Sequence, residues 1–350
     1  MVLGVLFLLL AGEVQGGLAA SVGLRWERQE SLAWARLRGV AVAPGGEVWA
    51  TGAGGTVRAM RPQSSRFETI KLPDAQGRDF RDVELPGEGQ VLVLAIGEGE
   101  KSQILKSSDG GRTWLTRYVM REPKGFLDAL AFWDAKHGLA LGDPVDGRFT
   151  ILTTDDGGET WEPLPADLRP LALAGEGAFA ASGTCLAVSG TDHAWFCTGG
   201  TGRSARVFRS ADRGRTWMAA DTPIPAANAS SGLFSLAFRD NLHGLAVGGD
   251  YQEPMKAGPV LAITTDGGET WKLPDGKTPI GLRSAVTPVP GTFGKAWITV
   301  GPTGSDLSLD DGQTWQPIPG EGFHAVASDG EARTWAVGED GRVGRLHFGR

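Results

Sequence analysis

The chain carries 41 acidic residues but only two tyrosines, Tyr118 and Tyr251. Tyr251 stands in the stretch GGDYQEPMKAG beside Asp250, and Glu176 lies in another stretch rich in alanine and glycine. A tyrosine made nucleophilic by a carboxylate base, with a second carboxylic acid to protonate a leaving group, is equipment for glycan cleavage. Asp143, Asp146 and Asp250 are the acids on hand. A second group is cationic: Arg38, Arg81, Arg283 and His324, with Arg148, Arg203 and Arg206 elsewhere. Clustered guanidinium groups bind carboxylates through paired N–H donors, so this set suits an anionic ligand or the acidic side chains of a protein partner.

Composition narrows these options. A net charge of −7 argues against a nucleic-acid backbone as partner, because that binding is driven by lysine and arginine neutralising phosphates. Two cysteines and five histidines, with no CxxC, HExxH or strand-to-helix GxGxxG, lead us to expect neither metal nor cofactor. His137 and His243 fall in equivalent HGLA phrases, which a structural repeat explains better than ligation. The 41% apolar content supports a large core, and 53 glycines among 350 residues point to many turns. Val2–Ala11 is an unbroken apolar run followed by small residues. It is too short to span a bilayer but suits a signal peptide over residues 1–20, although the first basic residue is Arg25. The expectation is a periplasmic or secreted protein without a transmembrane segment in its mature part, and a monomer. Cys185 and Cys197 would then face an oxidising compartment across a hairpin, as a disulfide or as two reduced core thiols.

The elements that must position these residues are announced by a repeat. SSDGGRTW (107–114), TDDGGETW (154–161), SADRGRTW (210–217), TTDGGETW (264–271) and SLDDGQTW (308–315) share the pattern (S/T)-x-D-x-G-x-T-W. Their aspartates, Asp109, Asp156, Asp212, Asp266 and Asp310, are 47, 56, 54 and 44 residues apart, a period typical of propeller blades. Asp and Ser/Thr side chains bond the backbone of a tight turn, and glycine supplies its positive φ. Trp114, Trp161, Trp217, Trp271 and Trp315 then offer large apolar faces to neighbouring units.

Each box follows the same phrase of strand, turn, strand ending in glycine, loop and strand. Two units keep the phrase without the box, Leu37–Met60 and Phe323–Leu346, which brings the count to seven. The last unit lacks a fourth strand, and Leu24–Gln29 places Trp26 where other units carry the box tryptophan. The reading is an all-β, seven-bladed propeller of four-stranded antiparallel blades, one domain over 21–350, closed by the N-terminal strand so that no edge is left exposed.

The boxes resemble the Asp-box, or bacterial neuraminidase repeat, of sialidases and other propellers, where the box is a structural turn between the third and fourth strands. Together with HGLALG and HGLAVGG, residues 24–346 look most like the photosystem II assembly and stability factors and their bacterial relatives. That resemblance implies a lumenal or periplasmic propeller that binds a protein partner. No Phe-Arg-Ile-Pro element precedes the boxes, which departs from the sialidase pattern.

In this frame Arg38, Arg81, Leu127, Phe234, Arg283 and His324 occupy one repeat position at the start of strand 1, followed by Gly39, Asp82, Asp128, Ser235, Ser284 and Ala325. The arginines and His324 are expected to cluster at the channel mouth, on the face opposite the boxes, with Asp82 and Asp128 as ligand contacts or as their partners. Elaborated loops on units 3 to 5, with the long stretch Pro165–Thr184, share that face. A scaffold or assembly role comes first, and sialidase-like glycan hydrolysis through Tyr251 and Glu176 second.

Overall fold

In the computed structural model, which describes residues 23–291 and 294–347, helix is confined to three single 3-10 turns and the rest is strand and loop. The segment read as a signal peptide lies outside the described residues. Among the described residues no helix is long and apolar enough to cross a membrane. The strands form seven antiparallel sheets, the blades. Their innermost strands, from blade 1 to blade 7, are Leu37–Val42, Asp79–Gly87, Leu127–Phe132, Leu186–Ser189, Ser231–Phe238, Ala285–Val289 and Ala325–Ser328. As expected, Arg25–Gln29 is the outer strand of blade 7, paired with Val343–His347. Trp26 stands opposite Leu346 and tilts against Phe323 with ring centroids 5.0 Å apart.

The five boxes are near-identical structures. In blade 2, Asp109 accepts from the Thr113 N–H at 2.9 Å and its hydroxyl at 2.6 Å, and Ser107 Oγ bonds both Asp109 and the Gly111 N–H. The same bonds recur at Asp156, Asp212, Asp266 and Asp310. The fifth residue of each box is a glycine at positive φ that seats on the preceding blade. A Cβ on Gly111 would stand 2.6 Å from Trp49 of blade 1, and one on Gly312 would stand 2.7 Å from Leu245 of blade 5. The box is thus both a turn and a clamp between blades. Charged pairs reinforce it, with Lys106 on Glu159, Arg209 on Glu269 and Arg239 on Asp311 each crossing from one blade to the next box.

Blade 5 departs from the four-strand expectation. Its outer strand is reduced to the single bridge Ile263–Lys272, because Pro274 follows at once and supplies no N–H to continue the ladder. Pro163 and Pro165 shorten the outer strand of blade 3 to Glu162–Pro163 by the same means.

Candidate functional site

Blade 4 differs from the others in how its inner strand begins. The residues before Leu186 leave the sheet, and Ala178–Thr184 (AFAASGT) runs across the channel. Its small side chains permit this, and Gly183 is required by both backbone and space: its φ is +75°, and a Cβ there would stand 2.2 Å from the Asp82 carboxylate. The crossing segment is tied to five other blades. The Ala180 carbonyl accepts from Arg81 at 2.7 Å, the Ala181 carbonyl from Arg38 at 3.4 Å, and the Ala178 N–H donates to Asp143 at 3.0 Å. Ser182 Oγ donates to the Ser284 carbonyl at 2.9 Å, and Thr184 Oγ1 to Ser235 Oγ at 2.7 Å. Phe179 stacks on Phe234 with centroids 4.2 Å apart.

This segment floors a cavity of about 610 Å³ on the face opposite the boxes. The wall has three sectors: Arg36, Arg38, Arg81 and His324 from blades 7, 1 and 2; Asp128 and Asp143 from blade 3; and Phe179, Phe234 and Tyr251 from blades 4 and 5. Arg38 is a weakly held cation of the first sector. Burial, with Arg81 and Arg36 beside it, lowers its pKa to about 10, so it stays charged at neutral pH. Its 3.4 Å bond to Ala181 is long, and its Nε is buried without a partner, as is that of Arg36. Arg81 is better held, between Asp79 and the Ala180 carbonyl. His324 adds no positive charge at neutral pH, because burial and then the charge of Arg38 lower its pKa to about 4, against the pull of Glu339 at 2.7 Å.

The carboxyls of the opposite sector move the other way. Asp128 is 1% exposed, and burial, with the neighbouring Asp143, raises it well above the carboxylate range. Its Oδ2 has no hydrogen-bond partner. Burial raises Asp143 to about 6, opposed by the Ala178 N–H. Asp82 accepts from the Leu130 and Val83 N–H groups rather than from an arginine, and burial raises it to about 8.

Several expected site residues are engaged elsewhere. Arg283 is 4% exposed and forms a buried pair with Asp306, which takes it out of the mouth. Glu176 is held by Arg206, by the Thr198 hydroxyl at 2.6 Å and by the Leu173 N–H at 2.8 Å, so the Tyr251–Glu176 pairing is not assembled. Arg206 is correspondingly committed to Glu176 and to the face of Phe208. Asp250 accepts from Ser230, Asn228 and Gln252; these bonds outweigh its burial and lower its pKa. Arg148 bonds the Arg169 carbonyl at 2.8 Å, Asp146 is exposed in a turn, and Arg203 is exposed at the start of the strand Arg203–Ser210. Tyr251, 51% exposed, does reach the rim, edge-on to Phe179 and Phe234. Cys185 and Cys197 are adjacent, buried and unbridged, with both thiols pushed up by burial. Arg36 and Phe179 were not picked out from the sequence. The run AFAASG, too small-chained for an ordinary surface loop, is the signal that would have drawn attention to the crossing segment.

The sequence pattern of the BNR/Asp-box repeat matches residues 262–273, which contain the fourth box. No curated protein matches the chain. Among solved structures, YCF48 bound to D1 peptide is similar with a TM-score of 0.63 at 16% identity, over 93% of this chain and 95% of that one. YCF48 from Cyanidioschyzon merolae gives 0.66 at 16% identity, over 92% and 99%. The GH74 enzyme of Niastella koreensis gives 0.62 at 15% identity, over 91% of this chain and 53% of that one. The chain is therefore an Asp-box propeller resembling YCF48 in fold, and at these identities the likeness speaks for fold alone.

Proposed function

We propose that this chain is an exported binding module that holds an acidic or carboxylate-bearing segment of a protein partner over its mouth, as a scaffold or assembly factor. The observation that carries this reading is Arg38, a desolvated cation that lines a cavity of about 610 Å³ and is tied to the fold by one long bond. A carboxylate placed there gains charge-assisted bonds in a medium less screening than water. Arg36 adds positive charge, and the Phe179, Phe234 and Tyr251 wall suits the apolar parts of a peptide. That YCF48, of similar fold, binds a D1 peptide supports a peptide as the ligand class. Export to the periplasm or beyond rests on the apolar run Val2–Ala11.

The test is a pull-down from a periplasmic or membrane extract with wild type and Arg38→Ala. Capture of a defined partner by wild type, lost in a variant of unchanged thermal midpoint, supports the reading; equal capture by both sinks it. Glycan hydrolysis remains the second reading, because Asp143, raised to about 6, shares the mouth with Tyr251. It requires glycan turnover that Tyr251→Phe and Asp143→Asn each reduce.

A further inference from the structure

Eleven of the twelve tryptophans are buried or half-buried, whereas Trp34 is 92% exposed. It belongs to the turn Ser31–Ala35, which joins the outer strand of blade 7 to the inner strand of blade 1 on the mouth face. The turn is held rigidly. Ser31 Oγ donates to the Gly341 carbonyl at 2.5 Å and accepts from the Ala33 N–H at 3.2 Å, and the Gly341 N–H donates to the Ala35 carbonyl at 2.8 Å. The Leu32 carbonyl accepts from Arg58 at 2.9 Å. Leu32 has φ +56°, a left-handed conformation that leucine rarely adopts, and its side chain is 55% exposed. The fold therefore maintains a strained turn that turns two large apolar side chains toward water, an arrangement characteristic of binding surfaces. A tryptophan presented on a rigid turn loses little entropy when it is covered, which favours it as an anchor.

The chain then runs from Trp34 into Arg36 and Arg38, the cations of the mouth. We propose that the Leu32–Trp34 turn is a second docking point, which takes an apolar side chain of the same acidic segment that the mouth holds. This rests on the function proposed above. The charge of the neighbouring arginines selects an acidic segment as the occupant, and the two exposed side chains require that segment to carry an aliphatic or aromatic residue flanking its acidic group.

The experiment uses two Gly/Ser dodecapeptides with a central Asp-Glu pair, one carrying a single leucine at a flanking position varied over two to five residues, the other serine there. Affinities are measured by calorimetry for wild type, Trp34→Ser, Leu32→Gly and Arg38→Ala. The expected result is that at one spacing the leucine peptide binds wild type about tenfold more tightly than the serine peptide. Trp34→Ser should abolish that difference at an unchanged thermal midpoint, and Leu32→Gly, which relieves the strain, should reduce it. Equal binding of both peptides by wild type, with both lost in Arg38→Ala, overturns the Trp34 inference and leaves the mouth reading standing. Binding of neither peptide overturns both. Sedimentation that reveals a concentration-dependent dimer abolished by Trp34→Ser assigns the turn to a second copy and overturns the proposal.

Discussion

The aspartates of the box face and those of the mouth are the same residue placed under opposite conditions. Each box aspartate accepts the N–H and hydroxyl of the threonine four residues on, and all five titrate below the ordinary range. At Asp156 burial opposes this, and the Thr160 bonds prevail to bring it to about 2. Asp128 and Asp143 in the mouth, and Asp82 buried against the crossing segment, are raised because burial is not matched by bonds to the charged form. One face repeats the same bonded aspartate turn five times. The other keeps unpaired oxygen and nitrogen atoms and does not repeat. Bonded and desolvated carboxylates thus sit at opposite ends of the same blades.

The comparison breaks most severely if the ring itself is opened. Deleting residues through Gln29 bares the strand Val343–His347, and we expect loss of the cooperative thermal transition and aggregation, read by calorimetry and light scattering. Next in size is Arg283→Ala, which leaves Asp306 buried without its partner and should cost about 3–5 kcal/mol in urea unfolding. Arg38→Ala should reverse that pattern, with stability nearly unchanged and affinity for an acidic peptide reduced at least tenfold, because its one bond to the fold is long. Asp212→Ala removes the acceptor of two Thr216 donors and should cost about 1–2 kcal/mol without altering peptide affinity.

The finest test uses pH. An unfolded aspartate titrates near 4, roughly, whereas Asp82 keeps its proton to about 8 in the fold. The folded state therefore binds more protons between those values, and stability falls as pH rises through them. For Asp156 the unfolded state binds more protons between roughly pH 4 and pH 2, so its contribution is present above that window and lost as pH falls through it. Urea midpoints across pH should show the alkaline limb flattened by Asp82→Asn and the acid limb by Asp156→Asn. Slopes that both variants leave untouched would remove the electrostatic basis of the contrast.

The blades were legible because each box repeats a local instruction, turn residues followed by a tryptophan at a fixed offset, that needs no distant partner. Even the ring closure could be read, since Trp26 stands where a box tryptophan was missing. The mouth was legible only in part. Alignment by repeat places Arg38, Arg81 and His324 at the mouth, and all three line it. The same alignment placed Arg283 there, yet Asp306, 23 residues on, captures it. Glu176 went to Arg206, 30 residues away, instead of Tyr251. Such pairings depend on how two loops meet, which periodicity does not constrain. The crossing of the channel by Ala178–Thr184 is the largest feature of this kind, and it decides what the arginines have left to offer.

The seam between Arg25–Gln29 and Val343–His347 also sets an order of events in time. The strand synthesised first among the blades finds its partner only after the last blade exists, so ring closure joins segments more than 300 residues apart. Contacts of that separation are slow to form, because the chain must be ordered before they reward it. Until then Trp26 and the edge of blade 7 wait unpaired, and the ring has no closed form to protect them.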